Sequence, residues 1–220
     1  SMGSPRAGMG VVAVDLEQRG WLDLLVTHLV GEGNGFFRNQ AGLFVDAVTH
    51  DGPMAGSLPH TGFGLSVTDF DNDGDLDFIE LVGGGLGLNG SQSVFASNFV
   101  LNNDGSFENI TDAVGLDGIL SRGRDPLVWD FNDDGLADIF MGAVQWPDGS
   151  FPAGVMLGSE NGGFVQADAM FLTPPPSAQA GYMADLNGDG RSEIIFNPGQ
   201  GGGYLAVYEL RDGSWSDATH

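Results

Sequence analysis

The sequence predicts an all-β protein of four repeated units, each of four strands, and three observations carry that prediction. An acidic loop recurs along the chain. A short apolar run flanks each copy on both sides. A glycine turn followed by an aromatic residue closes each unit. Apolar runs that are short, β-branched or aromatic, and bounded by turn residues read as strands.

The fullest acidic loop is Asp69-Phe-Asp71-Asn-Asp73-Gly74-Asp75-Leu-Asp77, with carboxylates at relative positions 1, 3, 5 and 9 and glycine at 6. That is a calcium-loop spacing. Ca²⁺ takes about 6–8 oxygens at about 2.3–2.6 Å, and the glycine permits the sharp turn around the ion. Asp69, Asp71, Asp73 and Asp77 would ligate through side chains, and Asp75, at position 7, through its carbonyl. Without a cation the carboxylates repel one another, at a cost on the order of several kcal/mol at reduced dielectric.

A solvated acidic loop is the plainer alternative, and recurrence argues against it. Asp130, Asn132, Asp134 and Asp138 repeat the pattern, with Leu136 at position 7. Asp185, Asn187, Asp189 and Glu193 repeat it again, with Arg191 at position 7. A decayed copy comes first, Asp15-Leu-Glu17-Gln-Arg19-Gly20-Trp21-Leu-Asp23. There Arg19 replaces the position-5 aspartate, so an internal salt bridge to Asp15, Glu17 or Asp23 is expected in place of a metal. Trp21 and Leu22 read as blade-packing residues.

Each loop lies between two apolar runs: Val11–Val14 and Leu24–Val26, Leu65–Val67 and Phe78–Val82, Leu127–Trp129 and Ile139–Met141, Tyr182–Ala184 and Ile194–Phe196. Third strands are expected at Gly35–Arg38, Phe99–Leu101, Gly154–Leu157 and Leu205–Leu210. Glycine turns at Gly42, Gly105, Gly162-Gly163 and Gly213 then lead into Phe44, Phe107, Phe164 and Trp215, as in hairpins. Four strands at this period make one propeller blade. The prediction is a β-propeller of four four-stranded antiparallel blades, with calcium loops between first and second strands. The blades fall at about 8–50, 60–114, 122–170 and 178–220, after a leading segment, 1–7, whose Ser1-Met2-Gly3-Ser4 reads as a cloning remnant.

The D-x-[DN]-x-D-G-x-x-[DE] loop between strands, followed by N-x-x-G-x-F, resembles the FG-GAP/VCBS repeat. That repeat is found in integrin alpha-chain propellers and in many extracellular bacterial proteins. The phrases Phe37-Arg38-Asn39, Thr61-Gly62-Phe63-Gly64, Phe107 to Leu116 and Ser121-Arg122-Gly123 are similar to the cartilage acidic protein family. The resemblance implies an extracellular or cell-surface β-propeller, secreted or periplasmic in a bacterium. Its role is left open, because fold does not determine function.

Composition narrows the role. The chain carries 7 basic and 30 acidic residues, a formal −23, and every basic residue is an arginine. About three Ca²⁺ ions would still leave it strongly acidic. Nucleic acid and anionic membranes are therefore poor partners. Without cysteine, neither disulfides nor thiol catalysis are available.

Other residues carry weaker signals. Asn89-Gly-Ser91 and Asn109-Ile-Thr111 match the N-glycosylation triplet. The glycine-rich 83–98 reads as an exposed excursion, Pro174–Pro176 as a stiff connector and Gly199–Gly203 as a wide turn unlike a phosphate loop. Trp146 is a candidate sugar platform or a blade-edge cap. His28, His50 and His60 read as ordinary surface or hydrogen-bonded residues. No G-x-S-x-G, H-E-x-x-H, Cys nucleophile or Lys is present.

The expected function is a calcium-binding, extracellular binding or adhesion module with structural ions and no enzymatic activity, its protein or glycan ligand held on the loop surface. A carbohydrate-binding lectin and a polysaccharide-degrading enzyme on the same propeller are the alternatives. A closed four-bladed monomer is expected, against a self-paired dimer or an arc of a longer ring.

Overall fold

The computed structural model describes residues 5–48, 52–83, 95–103, 105–121, 124–143, 153–167, 180–197 and 204–219, with the side chains of 95–103, 143 and 153 excepted. Asn89–Ser91, Trp146, His50, Pro174–Pro176, Gly199–Gly203, Arg122-Gly123 and most of the 83–98 excursion lie outside these residues. The chain divides into two compact units, Ser1–Ala113 and Val114–His220.

The first unit holds two four-stranded sheets, β1(Gly8–Val14) to β4(Leu43–Asp46) by way of β2(Asp23–His28) and β3(Gly35–Gln40), and β5(Thr61–Thr68) to β8(Ser106–Asn109) by way of β6(Asp77–Gly83) and β7(Phe95–Asn103). The second unit repeats the plan. One sheet comprises β9(Leu127–Trp129), β10(Asp138–Ala143), β11(Ala153–Gly158) and β12(Phe164–Gln166), and the other β13(Ala180–Ala184), β14(Glu193–Asn197), β15(Ala206–Arg211) and β16(Ser214–Asp217). Every sheet is a simple antiparallel meander in chain order. No helix among the described residues is long and apolar enough to cross a membrane.

Each acidic loop joins the first two strands of its sheet at the same register. The residue before loop position 1 pairs with the acid at position 9: Val14↔Asp23, Thr68↔Asp77, Trp129↔Asp138 and Ala184↔Glu193. The loop is thus a hairpin connection, and its last acid belongs to the second strand. That acid is buried in every copy.

The two sheets of the first unit are joined by polar contacts as well as an apolar cluster. Leu16, Leu25, Phe36, Met54 and Phe78 form the buried cluster. Beside it, Thr27 Oγ1 accepts from Gly10 N at 2.7 Å and donates to Phe63 O of the neighbouring sheet. A Cβ on Gly10 would lie 2.4 Å from Phe63 O, so only glycine permits this approach. Asn34 Nδ2 donates to Glu80 Oε1 at 2.7 Å, its Oδ1 accepts from His28 N at 2.9 Å, and its own N donates to Ser57 Oγ at 2.9 Å. All four of these residues are buried. Buried polar groups persist only when partnered in this way.

The second unit is joined through aromatics. Phe131, Phe140, Val155, Ile194, Phe196, Tyr208 and Trp215 share one buried cluster with Ala206. Phe196 meets Tyr208 edge-on at 5.3 Å between ring centroids and Phe140 at 4.8 Å. Such pairs stabilise by about 0.5–1.5 kcal/mol beyond the area they bury. Burial pushes the Tyr208 hydroxyl up to about 12.

Two sequence readings change in the structure. Trp21 and Leu22 are 45% and 56% exposed, so they are not the packing residues expected of them. Both lie in the loop, ahead of the first paired residue of β2, where strand alternation does not yet direct side chains inward. His28 is buried, whereas His60 is exposed as expected.

The β3–β4 turn places Ala41 at φ 54° and Gly42 at φ 94°. Two positive φ values define a type I′ hairpin, for which Asn-Gly is preferred. An alanine in the left-handed region costs about 1–2 kcal/mol relative to right-handed backbone, and asparagine relieves part of that. Ala41→Asn should therefore raise the melting temperature by roughly 2–4 °C per kcal/mol gained in a chain of this size. A melt by circular dichroism checks the direction.

Candidate metal centre

Each acidic loop is shaped by its own backbone before any ion is considered. Position 6 is Gly20, Gly74, Gly135 or Gly190, at φ between 80° and 97°. Position 4 is also left-handed, at Gln18, Asn72, Asp133 and Gly188. The position-6 requirement was legible from the glycines. The position-4 requirement was not, because four different residue types meet it.

These two turns direct backbone N–H groups at the acids. Asp69 accepts from Asp73 N at 3.1 Å and Gly74 N at 3.0 Å. Asp130 accepts from Asp134 N and Gly135 N at 3.0 and 2.7 Å, and Asp185 from Asp189 N and Gly190 N at 3.2 and 2.9 Å. Position 3 accepts from the position-5 N–H, at Asp71, Asn132 and Asn187. Position 5 accepts from the position-7 N–H, Asp73 from Asp75, Asp134 from Leu136 and Asp189 from Arg191. Position 9 accepts from the position-2 N–H, Asp77 from Phe70, Asp138 from Phe131 and Glu193 from Leu186. A carboxylate oxygen has a second lone pair, so these bonds orient the acids while leaving capacity for a cation.

In the second loop Asp69, Asp71 and Asp77 each bring a carboxylate oxygen within 4.8 Å of the others. Among the described residues no Lys or Arg pairs with Asp69, Asp71 or Asp73. Burial and the neighbouring charges of Asp73 and Asp69 hold the Asp71 carboxyl above the usual carboxylate range. Burial raises Asp138 likewise, against the backbone bonds from Gly158 and Phe131 that lower it. Asp69, Asp71 and Asp77 could hold a metal ion, and a hard cation fits an all-oxygen donor set.

The third and fourth loops reproduce the hydrogen bonding with an amide at position 3. Asn132 Nδ2 donates to Asp134 Oδ2 at 2.9 Å, and Asn187 Nδ2 to Glu193 Oε1 at 3.0 Å. Each amide thereby partners a nearby acid and presents its oxygen to the loop.

The first loop is different. Arg19 Nη2 donates to Asp23 Oδ1 at 2.7 Å and Oδ2 at 3.0 Å, and Nε to Glu17 Oε2 at 2.6 Å. Nη1 donates to Asn39 O at 3.1 Å. Among the described residues Asp15 accepts from backbone alone, Arg19 N and Gly20 N at 2.8 and 2.5 Å. The guanidinium thus pairs with two of the three acids expected for it. Arg38 and Asn39, expected from the sequence at the end of the third strand and the start of the turn after it, join this loop. Arg38 pairs with Glu17, and Asn39 N donates to Asp23 Oδ1 at 2.7 Å.

With this geometry in view, the repeat can be placed among known proteins. Residues 130–196 match the FG-GAP-like repeat family. The span contains the third and fourth acidic loops with β10, β11, β12 and β13, and ends in β14. No curated protein matches the chain. Among solved structures, the V. cholerae biofilm matrix protein Bap1 is similar over 96% of this chain and 30% of its own, at 15% identity and a TM-score of 0.41. The chain thus spans under a third of that protein's length.

Removing the built-in cation leaves a buried acid without its charged partner, which is strongly unfavourable. Arg19→Ala should lower the melting temperature by the same amount in calcium buffer and in chelator. Paired melts under the two conditions check this.

Proposed function

We propose that this FG-GAP-like chain is a calcium-stabilised, extracellular β-propeller module that binds a protein or glycan ligand and catalyses no reaction. One observation carries the reading. The second loop brings carboxylate oxygens of Asp69, Asp71 and Asp77 within 4.8 Å of one another, whereas the first loop places the guanidinium of Arg19 among the equivalent acids. A site that is built twice on one plan, once with a side-chain cation, is a site made for a cation.

Asp69, Asp71, Asp73 and Asp77 would hold one ion with the Asp75 carbonyl. Asp130, Asn132, Asp134 and Asp138 would hold a second with the Leu136 carbonyl. Asp185, Asn187, Asp189 and Glu193 would hold a third with the Arg191 carbonyl. The ion supplies charge neutralisation and fixes the hairpin between the first two strands of a blade. Exposed loops of this kind suit the weak affinity, about 10⁻⁴–10⁻³ M, of extracellular calcium modules. The four sheets are read as blades, and the formal charge of −23 disfavours nucleic acid and anionic membrane as ligands.

Calorimetric titration of chelator-treated protein should give about three calcium ions per chain. Each site held at ten times its dissociation constant stabilises by about 1.4 kcal/mol, roughly 4 kcal/mol for three independent sites. A melting temperature unmoved by chelator would remove the structural role. Asp73→Ala should cost one ion and part of the shift.

Ring closure is read as intramolecular. Light scattering in calcium should return a mass near the chain's 23.0 kDa. Twice that mass would indicate pairing, and concentration-dependent polymers an arc of a larger ring.

A further inference from the structure

The second unit contains a cleft of about 660 Å³ whose lining is not explained by the metal loops alone. Its apolar walls include two tryptophans, Trp129 and Trp215, beside Phe131 and Leu210. Trp215 is buried, with Nε1 donating to Phe131 O at 3.3 Å, and is therefore fixed in place. Trp129, at the end of β9, is 45% exposed, although it is a large aromatic beside a packed core.

Polar groups of both kinds share the lining. Asp133 and Asp212 are exposed, and each stands at a left-handed turn position, φ 62° and 49°. Arg191 and Ser192 come from the fourth acidic loop. Among the described residues the Arg191 guanidinium has no ion-pair partner, whereas Arg6, Arg19, Arg38 and Arg211 are all paired. An unpaired guanidinium is conspicuous in a chain with 30 acidic residues.

We propose that this cleft binds a neutral saccharide, with a sugar ring stacked on the face of Trp129. Ring hydroxyls would donate to the carboxylates of Asp133 and Asp212 and accept from Arg191 and Ser192. The inference deepens the binding-module reading and rests on it. Three properties select the ligand class. The volume falls within the range of small-molecule sites, about 300–1,000 Å³, and mixes apolar walls with a few convergent polar groups. An anionic ligand would meet Asp130, Asp133 and Asp212 and the strongly negative field of the chain. A cationic peptide would meet Arg191. A neutral polyhydroxylated ring uses donors and acceptors together and leaves neither charge opposed.

The test is a titration of the full chain in calcium buffer with neutral tetrasaccharides of glucose, mannose, galactose, xylose and N-acetylglucosamine. Tetragalacturonate and a tetra-arginine peptide run alongside, with tryptophan fluorescence and calorimetric heat as readouts. At least one neutral saccharide should bind saturably. Trp129→Ala should weaken that binding about tenfold or more, Trp129→Phe should recover part of it, and neither should alter calcium stoichiometry. Arg191→Ala, which retains the backbone carbonyl, should weaken it by a smaller factor.

The proposal is overturned if no neutral saccharide binds, if Trp129→Ala leaves binding within about twofold, or if either charged probe binds more tightly than every neutral one. A chain that takes up calcium but no saccharide loses the cleft and keeps the metal reading. A chain that binds saccharide through Trp129 but takes up no calcium does the reverse.

Discussion

Like charge held at short range is the constraint on which each repeat depends. The hairpin between the first and second strands brings three acids, four in the second loop, to positions 1, 3, 5 and 9 of one tight loop. Backbone N–H groups meet part of that charge, at Asp69, Asp130 and Asp185 alike. Peptide dipoles are fractional, and a buried carboxylate such as Asp77 or Asp138 demands more. In the first loop a side-chain cation, Arg19, meets part of the remainder. The guanidinium spans Asp23 and Glu17 in a planar fork, which an ammonium could not do with the same geometry. The first loop thereby carries a cation of its own, whereas the corresponding position 5 of the other loops is an aspartate.

The two units join their paired sheets by different physics. In the second, Phe140, Phe196, Tyr208 and Trp215 fill the space between sheets, and dispersion and apolar burial dominate. In the first, Asn34, Glu80, Thr27 and Ser57 form a buried polar network alongside a smaller apolar cluster. Such a network is costly if any member is lost, because each remaining partner is left buried and unpaired. Gly62 illustrates how tightly it is fitted: a Cβ there would lie 1.9 Å from Glu80 Oε1. Small residues at this position keep the first unit's sheets at a separation that side-chain hydrogen bonds can bridge.

The architecture was legible because it is written locally. Short apolar runs, turn glycines and the acidic spacing all lie within a few residues of the elements they specify, and every expected strand core is present. Strand ends were less so. β5 begins at Thr61, well before the apolar run Leu65–Val67, because a register shift carries pairing through Gly62. The Asn34–Glu80 bond spans 46 residues and leaves no local signature. Arg19's role was legible because its acidic partners lie within four residues, whereas Arg38 reaches Glu17 from 21 residues away. Trp129 was read only as the end of an apolar run. Its exposure depends on which sheet stands beside β9, and that is a property of packing.

The loops also bear on sheet-to-sheet packing, through position 2. Leu16, the second residue of the first loop, shares a buried cluster with Met54 and with Phe78 of the neighbouring sheet. Phe131, the second residue of the third loop, meets Trp215 of its neighbouring sheet edge-on at 6.2 Å between ring centroids, and its carbonyl accepts the Trp215 indole N–H. The N–H of Phe131 in turn donates to the buried Asp138. The acid at position 9, the aromatic at position 2 and the adjacent sheet therefore form one chain of contacts. Whatever fixes the position-9 carboxylate fixes the peptide that presents the aromatic, and so the contact between sheets. Gln18 adds a second link of this kind, donating from its Nε2 to Gly74 O at 2.7 Å and so joining the first loop to the second. Neutralising the loop acids thus acts on more than the loops, because the residues between the acids hold neighbouring sheets together.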